Sequence, residues 1–157
     1  MSAPGVIAGA RLLTAAEIAL ARSMFGAAID YGRVQIVQRK WAFFQPRDTV
    51  MAPRGNIHFH PGGCRYCDDF AEGDREAKGL FIHEMTHVWQ HQQGMFLPLR
   101  RLPFARYDYA LNPDKPFARY GIEQQAEIVR HAFLLRLGVR LDGRLPLPAY
   151  EKLLPFG

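Results

Sequence analysis

Residues 74–94 read DREAKGLFIHEMTHVWQHQQG and carry the strongest helical pattern in the chain. Inside it, His83 and His87 frame an H-E-x-x-H sequence whose second residue is Glu84. The three residues before the motif, at positions 80–82, are all apolar. The pattern therefore predicts that the two histidines lie on a buried helix and not on a solvated surface.

The spacing of the two histidines is that of a metal site. Four residues turn an α-helix by about 400° and advance it by about 6 Å, so the imidazoles of His83 and His87 project from one face and can bind one Zn²⁺. Glu84 lies about 100° around the helix, near enough to reach a metal-bound water without displacing it. Burying these three side chains without a partner would be costly. The motif therefore predicts one zinc ion per chain.

A catalytic zinc site needs a third protein ligand and an open position for water. The candidates are Glu123 and Glu127, which are four apart in a second predicted helix at about 119–137. One carboxylate can bind the metal while the other accepts a hydrogen bond from a ligand histidine and fixes its tautomer. Like charges at this spacing repel, and a neighbouring cation removes that penalty. The spacing alone does not say which glutamate is the ligand.

The rest of the chain predicts the α+β class. Thr14 and Glu17 have the spacing of a capping box, which predicts a helix from there to about Phe25, with Gly26 ending it. The other predicted features, in chain order, are a strand at 34–37, a continuation or a turn at 41–44, a strand pair at 50–51 and 55–60, a long loop at 94–118, a turn at 142–143 and a short helix at 149–154.

Length and composition predict one domain that spans residues 1–157. Apolar residues make up 48% of the 157 and charged residues 22%, so the chain can bury a core and is not intrinsically disordered. The net charge of +5 suits an acidic partner without requiring one, because much of the excess is scattered arginine. No nucleic-acid-binding motif accompanies the basic residues, so we expect no nucleic acid partner.

The sequence predicts neither a membrane span nor a signal peptide. No segment reaches the roughly 18 uninterrupted apolar residues that a membrane helix needs. The alanine-rich N-terminal segment lacks a basic beginning, and Arg11 and Glu17 interrupt it, so it is interpreted as folded structure. We therefore expect a chain made in the cytoplasm without a signal peptide and not inserted in a membrane.

The cysteines have a weaker ligand pattern. Cys64 and Cys67 form a C-x-x-C pair near His58 and His60, a spacing that is compatible with a second zinc site. Structural or incidental cysteines are the favoured interpretation, either as reduced thiols or as a disulfide in an oxidising compartment.

Two blocks of sequence carry a resemblance to a known family. They are FIHEMTHVWQ at 81–90 and FARYGIEQQAEIV at 117–129. Together they resemble the Vgr-related zinc metallopeptidase domains associated with bacterial type VI secretion and, more broadly, the gluzincin peptidases. The resemblance implies a small zincin-like fold, in which a short sheet packs on the H-E-x-x-H helix and a second long helix carries the third ligand. It also implies that Glu123 is the ligand and that Glu127, where many gluzincins have aspartate, supports a histidine.

The resemblance also implies an activity. It indicates a metallopeptidase or amidase that cleaves a peptide bond in a protein or in cell-wall peptide, exported by type VI secretion as a toxin to the periplasm of a target cell. Spike components and an immunity protein are the implied partners. Zinc would lower the pKa of its bound water to about 7, and Glu84 would take the proton and pass it to the leaving amine. The alternatives are an adaptor module of a secretion spike, in which zinc only stabilises the fold, and a metal-free binding domain.

Two further features concern the substrate. An extra hydrogen-bond donor usually stabilises the oxyanion of such reactions. The sequence does not choose among its candidate donors, which are Tyr107, Tyr109, Arg119, Tyr120 and His131. In addition, the predicted strand at 55–60 is placed to pair with an extended peptide substrate by strand addition.

Overall fold

A computed structural model of the chain describes residues 7–40, 47, 50–52, 54–95 and 107–156. The fold is a small α+β structure, as the sequence predicts. Within the described residues, three single-turn 3₁₀ helices connect the longer elements, at Tyr31–Arg33, Phe70–Glu72 and Phe117–Arg119. The helices and strands are, in order, β1 (Ala10–Leu12), α1 (Ala15–Phe25), β2 (Gln35–Val37), β3 (Ile57–His58), α2 (Arg75–Gln92), α3 (Ile122–Arg136) and α4 (Leu147–Glu151). The predicted feature at 41–44 and residues 96–106 of the predicted 94–118 loop lie outside the described residues.

The sheet has three short strands in the order β1-β2-β3, with β1 antiparallel and β3 parallel to β2. On its other side, β3 pairs with Met51, whose backbone exchanges hydrogen bonds of 3.1 and 2.7 Å with His58. Both edges of β3 are therefore occupied. The prediction that this strand adds an extended peptide substrate is wrong at β3, because β2 and Met51 already hold its backbone groups.

The first helix begins at the predicted capping box. The Thr14 hydroxyl accepts from the backbone N–H of Glu17 at 3.0 Å, and the Glu17 carboxylate accepts from the backbone N–H of Thr14 at 2.9 Å. The helix ends at Gly26, which has a positive φ of 55°. The capping box and the glycine therefore predicted both ends of α1 correctly.

The Glu17 carboxylate is also a tertiary link that the capping box did not predict. It is fully buried, and Arg11 donates to its two oxygens at 2.8 and 3.0 Å. The backbone N–H of Phe70 donates to it at 2.9 Å, and Arg11 reaches on to the Tyr66 hydroxyl and the Cys67 carbonyl. One carboxylate thus ties α1 to β1 and to the chain that leads into α2.

Helix α2 is the predicted H-E-x-x-H helix. The Asp74 carboxylate caps its first turn by accepting from the backbone N–H of Ala77 at 2.8 Å. The helix is buried almost all round from Phe81 to Val88, because it packs against α3 on one side and against the sheet and α1 on the other. Gly79 leaves room for α3, since a Cβ there would lie 3.1 Å from Nε of Arg130.

Helix α3 begins three residues later than predicted. Residues 117–119 form a 3₁₀ turn, and the Gln124 side-chain oxygen accepts from the backbone N–H of Gly121 at 2.9 Å, which starts the helix there. The short C-terminal helix α4 begins at Leu147, two residues before its predicted start, because Pro148 fits a first helical turn. No helix in the described part of the chain combines the length and apolar character needed to cross a membrane.

Candidate metal centre

The three polar residues of the H-E-x-x-H motif are buried on α2. His83, Glu84 and His87 keep only 7%, 5% and 4% of their surface exposed. The two imidazole rings lie 5.1 Å apart between centroids, on the helix face that packs against α3. The four-residue spacing has therefore brought the two rings side by side inside the protein.

Glu123, in the first turn of α3, faces both rings. Its Oε1 lies 2.7 Å from Nε2 of His87, and its Oε2 lies 3.5 Å from Nε2 of His83. One ligand atom from each of the three residues falls within 4.8 Å of the others, and this is the one such group in the described residues. Two imidazole nitrogens and a carboxylate oxygen are the donor set of a zinc site with an open position.

The Glu123 carboxylate leaves one buried atom unsatisfied. Its Oε2 accepts no hydrogen bond from the described residues, although the side chain is only 2% exposed. A buried carboxylate oxygen without a partner is costly, and a cation between the three ligand atoms would remove that cost. The residues present therefore fit a divalent metal ion.

The pKa shifts of Glu123 and His83 are those expected when a carboxylate and imidazole rings lie side by side. Burial alone would raise the pKa of Glu123, but the adjacent His83 and His87 rings outweigh it and hold the pKa well below its ordinary value. Burial alone would lower the pKa of His83, but the carboxylates of Glu123 and Glu127 outweigh it and raise the pKa to about 10. The site is thus built from opposite charges that face one another.

Glu127 contacts the other nitrogen of His83. Its Oε2 lies 3.3 Å from Nδ1 of His83, and Arg130 holds the same carboxylate at 3.3 and 3.4 Å. Burial raises the pKa of Glu127, but the hydrogen bond with His83 and the charge of Arg130 outweigh it and lower the pKa to about 2. A carboxylate only accepts, so this contact keeps the hydrogen on Nδ1 and leaves Nε2 towards Glu123.

The sequence did not predict a role for two buried glutamines beside His87. Gln90 lies one turn after His87 on α2 and is fully buried, and Gln125 lies between the two glutamates on α3 and is 2% exposed. The amide oxygen of Gln90 lies 2.8 Å from Nδ1 of His87. The usable signal was a glutamine three residues after a candidate metal-binding histidine, on the same face of an apolar helix.

The candidate oxyanion donors occupy different surroundings. The Tyr107 ring stacks on the His83 ring at 6.0 Å with an interplanar angle of 16°, and the residue is 45% exposed. The Tyr109 hydroxyl contacts Nδ1 of His131 at 2.6 Å, and the Tyr120 hydroxyl contacts the backbone of Asn112. Arg119 is exposed on its 3₁₀ turn. Of these candidates, Tyr107 contacts a residue of the candidate metal centre, His83.

The second zinc site does not form among the described residues. The ring of His58 contacts the Arg39 carbonyl at 3.2 Å, and Nδ1 of His60 accepts from the backbone of Gly62 at 2.9 Å. Cys64 is exposed, Cys67 is half-buried, and both are free thiols. These residues do not gather into a ligand group like that of His83, His87 and Glu123.

Comparison with known proteins identifies the relatives of this structure. No model of a known protein family matches the chain. It is 41% identical over 142 residues to the type VI secretion system spike protein VgrG2b of Pseudomonas aeruginosa, a match that covers 85% of this chain and 14% of that protein. It superposes on the effector domain of Pseudomonas aeruginosa VgrG2b with a TM-score of 0.76 at 39% identity, covering 87% of this chain and 78% of that one. The chain therefore belongs to the VgrG2b effector domain family and spans a small fraction of the full spike protein.

Proposed function

We propose that this chain is a zinc-dependent peptidase or amidase with a zincin-like fold. The observation that carries the proposal is the meeting of His83 Nε2, His87 Nε2 and Glu123 inside the protein, with one buried oxygen of Glu123 left unsatisfied. Glu84, next to His83 on the same helix, adds the carboxylate that hydrolysis needs. A purely structural metal site would need no such base.

His83, His87 and Glu123 would hold the metal. Zinc bound by three protein ligands supplies Lewis acidity, which makes water a nucleophile at neutral pH and polarises a substrate carbonyl. Glu127 and Arg130 would keep the His83 ring in place through Nδ1. The burial of the three ligand side chains would limit the access of competing water to the metal.

Glu84 would act as the general base and then as the general acid. Its carboxylate takes one proton from the attacking water as the oxygen adds to the carbonyl carbon. It then delivers that proton to the amide nitrogen as the C–N bond breaks, so that one carboxyl and one amine product leave. Proton transfer by a positioned side chain contributes about 10²- to 10⁴-fold to the rate.

Tyr107 would face the substrate. Its ring lies over that of His83, and nearly half of the residue's surface is exposed. A phenol donor at that position would stabilise the oxyanion that develops on the carbonyl oxygen. Tyr109, Tyr120 and His131 would support the surrounding structure, since their polar groups are engaged with other parts of the protein.

The kinship with VgrG2b supports a role as a type VI secretion effector. We propose that the chain is delivered with spike components, that it cleaves protein or cell-wall peptide in the periplasm of a target cell, and that an immunity protein protects the producing cell. The alternative is an adaptor module of the spike. The same arrangement of His83, His87 and Glu123 is compatible with this alternative, because a metal held between α2 and α3 would also stabilise the fold.

A single substitution separates enzyme from adaptor. We expect Glu84→Gln to retain one zinc per chain and wild-type stability but to lose at least about 10²-fold in hydrolysis. Glu76→Gln is the matched control, because Glu76 is an exposed residue in the first turn of the same helix. Zinc is counted by elemental analysis, and cleavage of denatured proteins and purified muropeptides is followed by mass spectrometry. Hydrolysis by Glu84→Gln at the wild-type rate would remove Glu84 from the mechanism.

Expression in a test bacterium locates the target. Wild type directed to the periplasm is expected to damage the cells, whereas cytoplasmic wild type and periplasmic Glu84→Ala are expected to be harmless. Equal damage by wild type and Glu84→Ala would contradict an enzymatic toxin. A zinc-loaded wild type that cleaves no substrate and harms neither compartment would favour the adaptor.

A further inference from the structure

Two glutamines form a buried chain of hydrogen bonds that ends on His87. Gln90 on α2 is fully buried, and Gln125 on α3 is 2% exposed. Buried amides need partners for both their oxygen and their nitrogen, so the direction of each amide can be worked out from its neighbours.

The orientation of Gln125 is set by main-chain carbonyls. Its Nε2 lies 3.0 Å from the carbonyl oxygen of Tyr120 and 3.3 Å from that of Phe117. A carbonyl oxygen can only accept, so the NH₂ group of Gln125 must face this pair. Its Oε1 is left on the other side, where it accepts from Gln90.

The orientation of Gln90 follows from that of Gln125. Its Nε2 donates to Oε1 of Gln125 at 2.9 Å and to the carbonyl oxygen of Ile122 at 3.0 Å. Both donor hydrogens of the amide are then used, and Oε1 of Gln90 lies 2.8 Å from Nδ1 of His87. An amide oxygen only accepts, so Nδ1 of His87 must carry the hydrogen.

From this sequence of donors and acceptors we infer that Gln90 is a positioning residue for the metal site. Gln90 holds His87 with its hydrogen on Nδ1 and with Nε2 directed at the ion, and Gln125 anchors Gln90. The inference rests on the proposed zinc function. His83 is held by the charged pair of Glu127 and Arg130, whereas His87 is held by neutral amides tied to the backbone at the start of α3. The two ligands can therefore be perturbed one at a time.

Zinc affinity tests the inference without any substrate. Gln90→Met keeps the length of the side chain and removes its amide, and Gln93→Met makes the same change at an exposed position on the neighbouring turn. By competition with a chromophoric chelator, Gln90→Met is expected to bind zinc about 10- to 100-fold more weakly, the usual effect of losing a partner of a metal ligand. Gln93→Met is expected to bind zinc as the wild type does.

A spectroscopic signature separates positioning from a general loss of stability. In the cobalt-substituted wild type, proton NMR is expected to show two strongly shifted exchangeable signals, from Nδ1–H of His83 and of His87. Gln90→Met is expected to lose the His87 signal to solvent exchange and to keep that of His83. Gln125→Met, which leaves the Gln90 contact with His87 in place, covers the case in which Gln90→Met does not fold. It is expected to keep both signals but to exchange the His87 proton faster.

The outcomes keep this inference apart from the proposed function. Wild-type zinc affinity together with both wild-type signals in Gln90→Met, or an unchanged His87 exchange rate in Gln125→Met, would overturn the positioning role. A wild type that binds no zinc would overturn the proposed function and the inference together. A wild type that binds zinc but hydrolyses nothing would overturn only the peptidase, because the affinity and the cobalt signals still decide the role of Gln90.

Discussion

At the residue scale, His83 and His131 lie in opposite electrostatic surroundings. Carboxylates raise the pKa of His83, as described above. Burial is the largest cause that lowers the pKa of His131; Glu127 opposes it, Arg144, Arg130 and His83 add to it, and the net result is a pKa of about 4. His131 is therefore neutral in the folded chain at pH values where an unfolded histidine, with a pKa near 6.5, is already charged. Its contribution to stability is present above about pH 6.5 and is lost as the pH falls through 4.

His131→Asn tests the direction in which His131 makes stability depend on pH. Asparagine keeps an acceptor for the Tyr109 hydroxyl but does not titrate. In chelator-treated protein, the free energy of unfolding of the wild type is expected to fall more steeply than that of His131→Asn between pH 6.5 and 4, by at most about 1.4 kcal/mol per pH unit. Guanidinium titrations at three pH values measure the difference. Parallel pH profiles for the two proteins would show that His131 does not titrate as its burial implies.

The residue-scale chemistry of the site is also what the sequence predicts best. The separation of His83 from His87, and of Glu123 from Glu127, is a local property of a helix, so spacing alone selected the four side chains that the structure brings together. The contact of Gln90 with His87 lies within α2, three residues apart, but the contact of Gln90 with Gln125 joins two helices. No pattern within either helix predicts that second contact.

At the element scale, the Arg11–Glu17 pair connects segments that are distant in the chain. Glu17 joins α1 to β1 through Arg11 and to the 3₁₀ turn at Phe70–Glu72 through a backbone N–H. The capping box predicted where α1 begins, but the same carboxylate serves a contact across 53 residues that local sequence does not encode. The strand pair predicted at 50–51 and 55–60 is confirmed by the pairing of Met51 with His58. The pairing of β3 with β2, which closes its other edge to a peptide, is a tertiary contact that local sequence does not encode.

Arg11→Met tests the importance of this link. The change leaves a fully buried carboxylate without its charged partner, so unfolding free energy is expected to drop by about 3 kcal/mol or more. Arg140→Met is the control, since Arg140 and Asp142 form an exposed pair at 3.5 Å whose loss should leave the unfolding midpoint unchanged. Equal midpoints for the two variants in chemical denaturation would mean that the buried pair does not hold these elements together.

At the scale of the whole molecule, the candidate metal centre lies between the two longest helices that the structure describes. His83 and His87 belong to α2 and Glu123 to α3, so an ion held by all three would link them. Metal binding to the folded state alone stabilises that state by mass action. The sequence predicted both helices and placed the candidate ligands on them, but the way the helices pack, with Gly79 against Arg130, depends on side-chain shape.

Zinc-dependent stability tests this coupling. At free zinc about 100-fold above its Kd, the wild type is expected to gain about 2.7 kcal/mol in unfolding free energy over the chelator-treated protein. Glu123→Gln is expected to lose most of this gain, and Glu76→Gln is expected to keep it. A full zinc-dependent gain in Glu123→Gln would place the stabilising ion elsewhere in the protein.

The most direct measurement of the central claim is anomalous diffraction from crystals of the zinc-loaded protein, with data collected on both sides of the zinc absorption edge. We expect one strong difference peak at bonding distance, about 2.0 to 2.2 Å, from Nε2 of His83, Nε2 of His87 and an oxygen of Glu123. A zinc peak away from these three side chains, or none between α2 and α3 at full zinc loading, would contradict it.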